Sequence, residues 1–309
     1  MKKYSNKILA LALVVLLGIF ALSKIFRSPR LESNVRKDLV KIDTALVTEV
    51  RIQPAKAAGE VVKLVREGYR WKLQEGPKEA KVEGGAVESM LGVLKDLQAQ
   101  RMVALKKEKW DDFEVGENST RVSVFADGEK EADFRVGKTG FSQAQGMAGA
   151  FTYIRLANED EVYSTEGFIG SHFNRTFDEW RDKTFLRVAK DSVQRIEFTY
   201  PDSSFVLQKR DSLWYIGDRP ASRPKVEGYL EKIRFKNLAT FEDGFVPKGQ
   251  PLLRINIVGR SGTLATAGAW PKGDGGWVLS SSFQDGVYFS GKAPGAVQDL
   301  FIGPGGLRE

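Results

Sequence analysis

The sequence predicts an α+β chain: an N-terminal transmembrane helix followed by two tandem repeats. Each repeat should be an antiparallel sheet, built from a hairpin, a helix and a four-strand meander, packed with helices. Three observations predict this: an apolar run near the start, a tryptophan hairpin written twice, and the same order of elements after each copy.

The apolar run comes first. After MKKYSNK, residues Ile8 to Ser23 carry no charge, and the run reaches Phe26 if Lys24 extends toward the headgroups. It has no polar face, which a buried globular helix would normally show. Residues 1–26 are therefore read as a membrane anchor, with a cleaved signal peptide as the alternative. Residues 27–43 read as a basic juxtamembrane linker. The short basic start resembles an export leader and places the protein in the inner (cytoplasmic) membrane, single-pass, with its body in the periplasm. The cations from Lys24 to Lys41 outnumber those before Ile8, and on the positive-inside rule alone they favour the opposite orientation.

The formal charge of +7 lies in this same region. Residues 1–41 hold nine Lys or Arg against Glu32 and Asp38, and the remainder balances. A neutral body argues against a phosphate-tracking surface, so no nucleic-acid partner is expected.

The body opens with a first unit, residues 44–174. VTEVRI (47–52) alternates apolar and polar residues as a half-buried strand does. LVREGYRWKL (64–73) is a hairpin turning at Glu67 and Gly68. Val87, Met90, Leu91, Leu94 and Leu97 recur at helical spacing within 81–103. Two further hairpins follow, 121–136 and 151–165, and an apolar close runs from Phe168 to Phe173.

A connector, 175–187, leads into a second unit, 188–309, that repeats this order. VQRIEF (193–198) answers VTEVRI, and LQKRDSLWYI (207–216) repeats the hairpin's leucine, cation, tryptophan and aliphatic residue at the same spacing. Val226, Tyr229, Leu230 and Ile233 mark the second helix, within 225–241. Hairpins at 254–268 and 277–291 complete the meander. Trp71 and Trp214 read as core residues of their units, each able to bury roughly 150–250 Å². In the connector, Asp178 and Arg181 stand at helical spacing for an ion pair.

Little in the chain points to chemistry. His172 is the only histidine and there is no cysteine, so histidine-based triads, two-histidine metal sites and thiolate chemistry lack their members. The sequence GKTG (137–140) imitates a phosphate-binding loop, but position 132 is alanine where the pattern needs glycine. Catalytic, cofactor-binding and metal-ligating residues are all expected to be absent. The two glycine-rich stretches TGFSQAQGMAGAF (139–151) and AWPKGDGGW (269–277) read either as plain hairpin connections or as a contact surface.

With the apolar leader, the paired tryptophan hairpins, FEVGENSTRVSVF (113–125) and EWRDKTFL (179–186) assembled in this order, the chain resembles the bacterial membrane-anchored domain-of-unknown-function 4340 family, in its Bacteroidetes-like form. The resemblance covers residues 40–245. It departs from the family where Phe113–Gly116 replaces the usual glycine-leucine-aspartate. It implies a non-enzymatic accessory or scaffold component of an envelope complex such as an ABC-type transport system, with envelope or transporter proteins as partners. The alternative is a periplasmic glycan- or lipid-binding module, and an enzyme ranks third.

Overall fold

Period-two alternation becomes sheet wherever both faces find a use. In this computed structural model the described residues are 36–142, 149–273, 275–291 and 295–308, with Leu13, Val15 and Leu16. They fall into two units, Met1–Phe177 and Asp178–Glu309.

The first unit begins with β1 (Asp38–Val40), then β2 (Val47–Gln53), β3 (Val62–Glu67), β4 (Arg70–Glu75) and β5 (Lys78–Lys81). Val50, Ile52, Val62, Leu64 and Leu73 share one face and are fully buried. Gly68, at φ +62°, supplies the left-handed backbone that the β3–β4 turn requires. Helix α1 (Ala86–Lys95) then buries Val87, Met90, Leu91 and Leu94. After it come β6 (Leu97–Gln98), which pairs with β1, and β7 (Arg101–Ala104). A meander follows: β8 (Thr120–Ala126), β9 (Glu129–Ser142), β10 (Gly149–Leu156) and β11 (Val162–Glu166). The sheet order is β5-β4-β3-β2-β8-β9-β10-β11-β7, antiparallel throughout. Two single-turn helices follow, α2 (Gly170–Phe173) and α3 (Phe177–Trp180), and the division between units falls inside α3.

The second unit runs β12 (Thr184–Arg187), β13 (Arg195–Thr199), β14 (Ser204–Arg210), β15 (Leu213–Ile216), β16 (Arg219–Pro220), then α4 (Arg223–Arg234) and β17 (Phe235–Asn237). Its meander is β18 (Leu253–Gly259), β19 (Gly262–Pro271), β20 (Trp277–Ser281) and β21 (Tyr288–Gly291), closed by α5 (Ala296–Leu300). The order β16-β15-β14-β13-β18-β19-β20-β21 repeats the first sheet's connectivity without a counterpart of β7, and β12 pairs with β17 as β1 pairs with β6. The core of this unit gathers Ile196, Phe198, Leu207 and Trp214 from the sheet with Val226, Tyr229, Leu230 and Ile233 from α4.

The α+β expectation with a transmembrane helix is corrected by these elements. The chain is mostly β, with 45% strand against 19% helix and two large antiparallel sheets. Among the described residues no helix is long and apolar enough to cross a membrane, and the rest of the run expected to anchor the chain lies outside them. Helix was over-read because the amphipathic spacing stops early. After Lys95 the chain turns at Asp96 and gives Leu97 and Gln98 to β1; after Arg234, Phe235–Asn237 pair with β12. Thr184–Arg187, read within the connector, is a strand whose Phe185 and Leu186 enter the second unit's core.

Candidate ligand groove on the second sheet

On the face of the second sheet that carries its polar residues, cross-strand pairing sets Thr199, Arg254, Gly268, Ser280 and Tyr288 in one row over five strands. Gly268 puts no side chain into that row. The segment before β18 crosses there: a Cβ on Gly268 would stand 2.7 Å from Pro251 Cγ. The same segment is tied down where Trp270 Nε1 donates to the Gly249 carbonyl at 3.2 Å and Leu252 N donates to the Ala269 carbonyl at 2.8 Å. Phe245 packs against Trp270 and Tyr288, with ring centroids 5.6 and 5.1 Å away.

Between this strap and the turn after β20 lies a groove of about 670 Å³. Its floor carries Asn256 and Glu197, its flank Trp270, and its rim Ser280, Ser282 and Asp285. Asn256 Nδ2 donates to Glu197 at 2.8 Å, and Arg195 holds the other oxygen of that carboxylate at 2.8 Å. Asn256 Oδ1 is enclosed and accepts no hydrogen bond among the described residues. A buried acceptor left in this way carries a desolvation cost of about 1–3 kcal/mol, which the Asn256–Glu197–Arg195 network of the floor bears. The arrangement offers hydroxyls, an amide, a fixed carboxylate and a partly exposed indole, a set suited to binding a hydroxyl-rich molecule along the face of the sheet.

The first unit fills the corresponding face. Opposite Arg121, where the second unit has Gly268 opposite Arg254, stands Arg135, and opposite Arg135 stands Arg155. Three guanidinium groups in a cross-strand row repel one another, so each needs its own partner. Asp133 takes Arg121 in a two-pronged pair at 2.9 and 2.7 Å. Arg135 donates to the Gly116 and Glu117 carbonyls at 3.1 and 2.8 Å and pairs with the Glu117 carboxylate. Arg155, 2% exposed, lies 3.6 Å above the Trp110 ring and donates to the Val115 and Glu159 carbonyls at 3.0 and 3.2 Å. Burial, and then the charge of Arg135, pushes the Arg155 pKa down from its ordinary value. The strap before β8 is thus stapled onto the sheet, with Trp110 and Val115 joining Ala104 and Val162 in a small second core.

The residues singled out from sequence take varied places. Trp214 is buried at 5% exposure, but Trp71 is only half-buried, with Arg66 4.9 Å above its ring. His172 is half-buried, its Nδ1 3.3 Å from Ser89 Oγ; burial first, then Arg175, holds its pKa below the usual 6.5. Asp178 and Arg181 do pair, at 3.1 Å, and Asp243 joins them at 2.8 Å. The GKTG stretch lies in β9, where Gly137 lets the strap pass: a Cβ there would stand 2.2 Å from the Phe113 carbonyl oxygen. Of the two glycine-rich loops, residues 143–148 of the first and residue 274 of the second lie outside the described residues; in the described part of the second, Lys272 N donates to the Gly276 carbonyl at 2.8 Å. The second loop contributes Trp270 to the groove. Asn256, Glu197 and Gly268 escaped sequence reasoning, since only strand pairing brings them together.

No curated protein and no solved structure matches the chain. A family model described as "Domain of unknown function (DUF4340)" matches residues 71–243, more than half of the sequence, from Trp71 in β4 to Asp243 beyond β17. The chain therefore belongs to the DUF4340 family, a domain of unknown function.

Proposed function

We propose that the chain is a non-catalytic binding protein whose second unit holds a carbohydrate in the groove beside Trp270. The observation that carries this reading is the groove beside the point where the strap crosses Gly268, lined by hydrogen-bonding groups of the row Thr199–Arg254–Gly268–Ser280–Tyr288 and its neighbours. Sugars present hydroxyls to groups such as Ser280 and Asp285 on the rim and lay the C–H face of the ring on an indole. A binding role suits Glu197 better than acid–base work, because Arg195 and Asn256 already hold its carboxylate.

The test is calorimetric titration of the purified chain with neutral tetrasaccharides: cellotetraose, maltotetraose and chitotetraose. Saturable binding is expected for at least one, weakened about tenfold by Trp270→Ala and by Asp285→Ala. Failure of all three to bind, or binding indifferent to both substitutions, would overturn the reading.

A further inference from the structure

We propose that the first unit carries a second, independent saccharide site, in the cavity of about 720 Å³ between its strap and β9. Such a site rests on the reading of the chain as a carbohydrate-binding protein. The two cavities arise in the same way: in each unit the segment preceding the meander crosses the meander's second strand at a glycine, Gly137 or Gly268, and leaves a hollow beside the crossing.

The first cavity has its own aromatic platform. Phe168 lines it while remaining 53% exposed, and Phe141, 73% exposed, meets its edge at 5.3 Å. Exposed aromatic rings beside a hollow keep apolar surface in water, which a stacked sugar face would cover. A hydroxyl network fixes the platform. Thr152 Oγ1 lies 3.1 Å from Thr139 Oγ1, donates to the Gly167 carbonyl at 2.7 Å and accepts from Ile169 N at 3.1 Å, so both neighbours of Phe168 are tied to the sheet. Ser171 Oγ then holds the Phe168 carbonyl at 2.7 Å. Asn118 and Lys138 line the same hollow, and their side chains make no hydrogen bond among the described residues, so both remain donors for a ligand.

Charge sets the ligand class. Asp111 and Glu114 border the cavity against Lys138, while the Glu117 carboxylate beside them is taken up by Arg135. Uronate-bearing sugars would meet like charge there, so the site takes neutral saccharides.

The experiment is a binding-stoichiometry titration of the full chain with the same three neutral tetrasaccharides and with tetragalacturonate. Two binding events per chain are expected for the neutral ligand. Phe168→Ala should remove one of them and Trp270→Ala the other. Asn118→Ala, an exposed substitution that leaves the platform in place, should weaken the Phe168-dependent event about tenfold. Circular dichroism would confirm that each variant is folded. A single event lost with Trp270→Ala and untouched by Phe168→Ala would overturn the second site and leave the groove standing. A single event lost only with Phe168→Ala would overturn the groove and keep the first-unit site. Tetragalacturonate bound at the Phe168-dependent site as tightly as the neutral ligand would overturn the assignment to neutral sugars.

Discussion

Arg155 keeps a guanidinium at 2% exposure, despite Arg135 opposite it, because it finds acceptors: the Val115 and Glu159 carbonyls and the Trp110 π-face. Arg155→Met should therefore cost on the order of 3 kcal/mol, because it leaves enclosed carbonyls unpaired rather than because it removes charge. Urea unfolding measures this, and a neutral effect would show that water replaces the lost donors. His172 gives a cleaner readout, being the chain's only histidine. Its folded pKa lies below the ordinary value, so folding favours the neutral ring. The stability linked to it is present above the unfolded value near 6.5 and is lost as pH falls through the folded one. A proton NMR titration should place its midpoint below 6.5, and Arg175→Ala should move the midpoint up. The two tryptophans should separate as well. Trp214→Ala should cost about 3–5 kcal/mol, as aromatic truncation in a core does. Trp71→Ala should cost clearly less, because half-burial and one guanidinium contact are all it forfeits. Equal losses in denaturant unfolding would contradict that ordering.

At the scale of elements, the strands were the legible part. Alternation in VTEVRI and VQRIEF, and the repeated tryptophan hairpins, specify local pairs in which Leu64, Trp71 and Leu73 share one face, as do Leu207, Trp214 and Ile216. Helix ends were not legible, since Leu97–Gln98 and Phe235–Asn237 take strand geometry only because β1 and β12 are there to pair with them. The groove was least legible of all. Gly268 looks like any glycine in a polar hairpin until register sets it beside Arg254, fourteen positions earlier in the chain. The straps share this dependence on distant contacts. Gly137→Ala should displace Phe113–Val115 and cost about 1–3 kcal/mol in unfolding experiments, since the added methyl meets backbone rather than a flexible side chain. An unchanged midpoint would mean that the strap lies more loosely than its stapling by Arg135 and Arg155 implies.

At the scale of the molecule, each unit closes its own core, and that of the second runs from Phe185 to Leu307. A fragment comprising residues 178–309 should unfold cooperatively by itself and keep any tetrasaccharide binding that depends on Trp270; a molten fragment would show that its core needs the rest of the chain. The contrast between the two sheet faces also bears on descent. Arginine and glycine codons differ by a single base, so one nucleotide change at position 135 can remove the middle cation of the row Arg121–Arg135–Arg155, and the reverse change at position 268 can install one. After a gene segment duplicates, such a lattice lets the two copies come to present different groups on the same face, with neither having to rebuild its strand order.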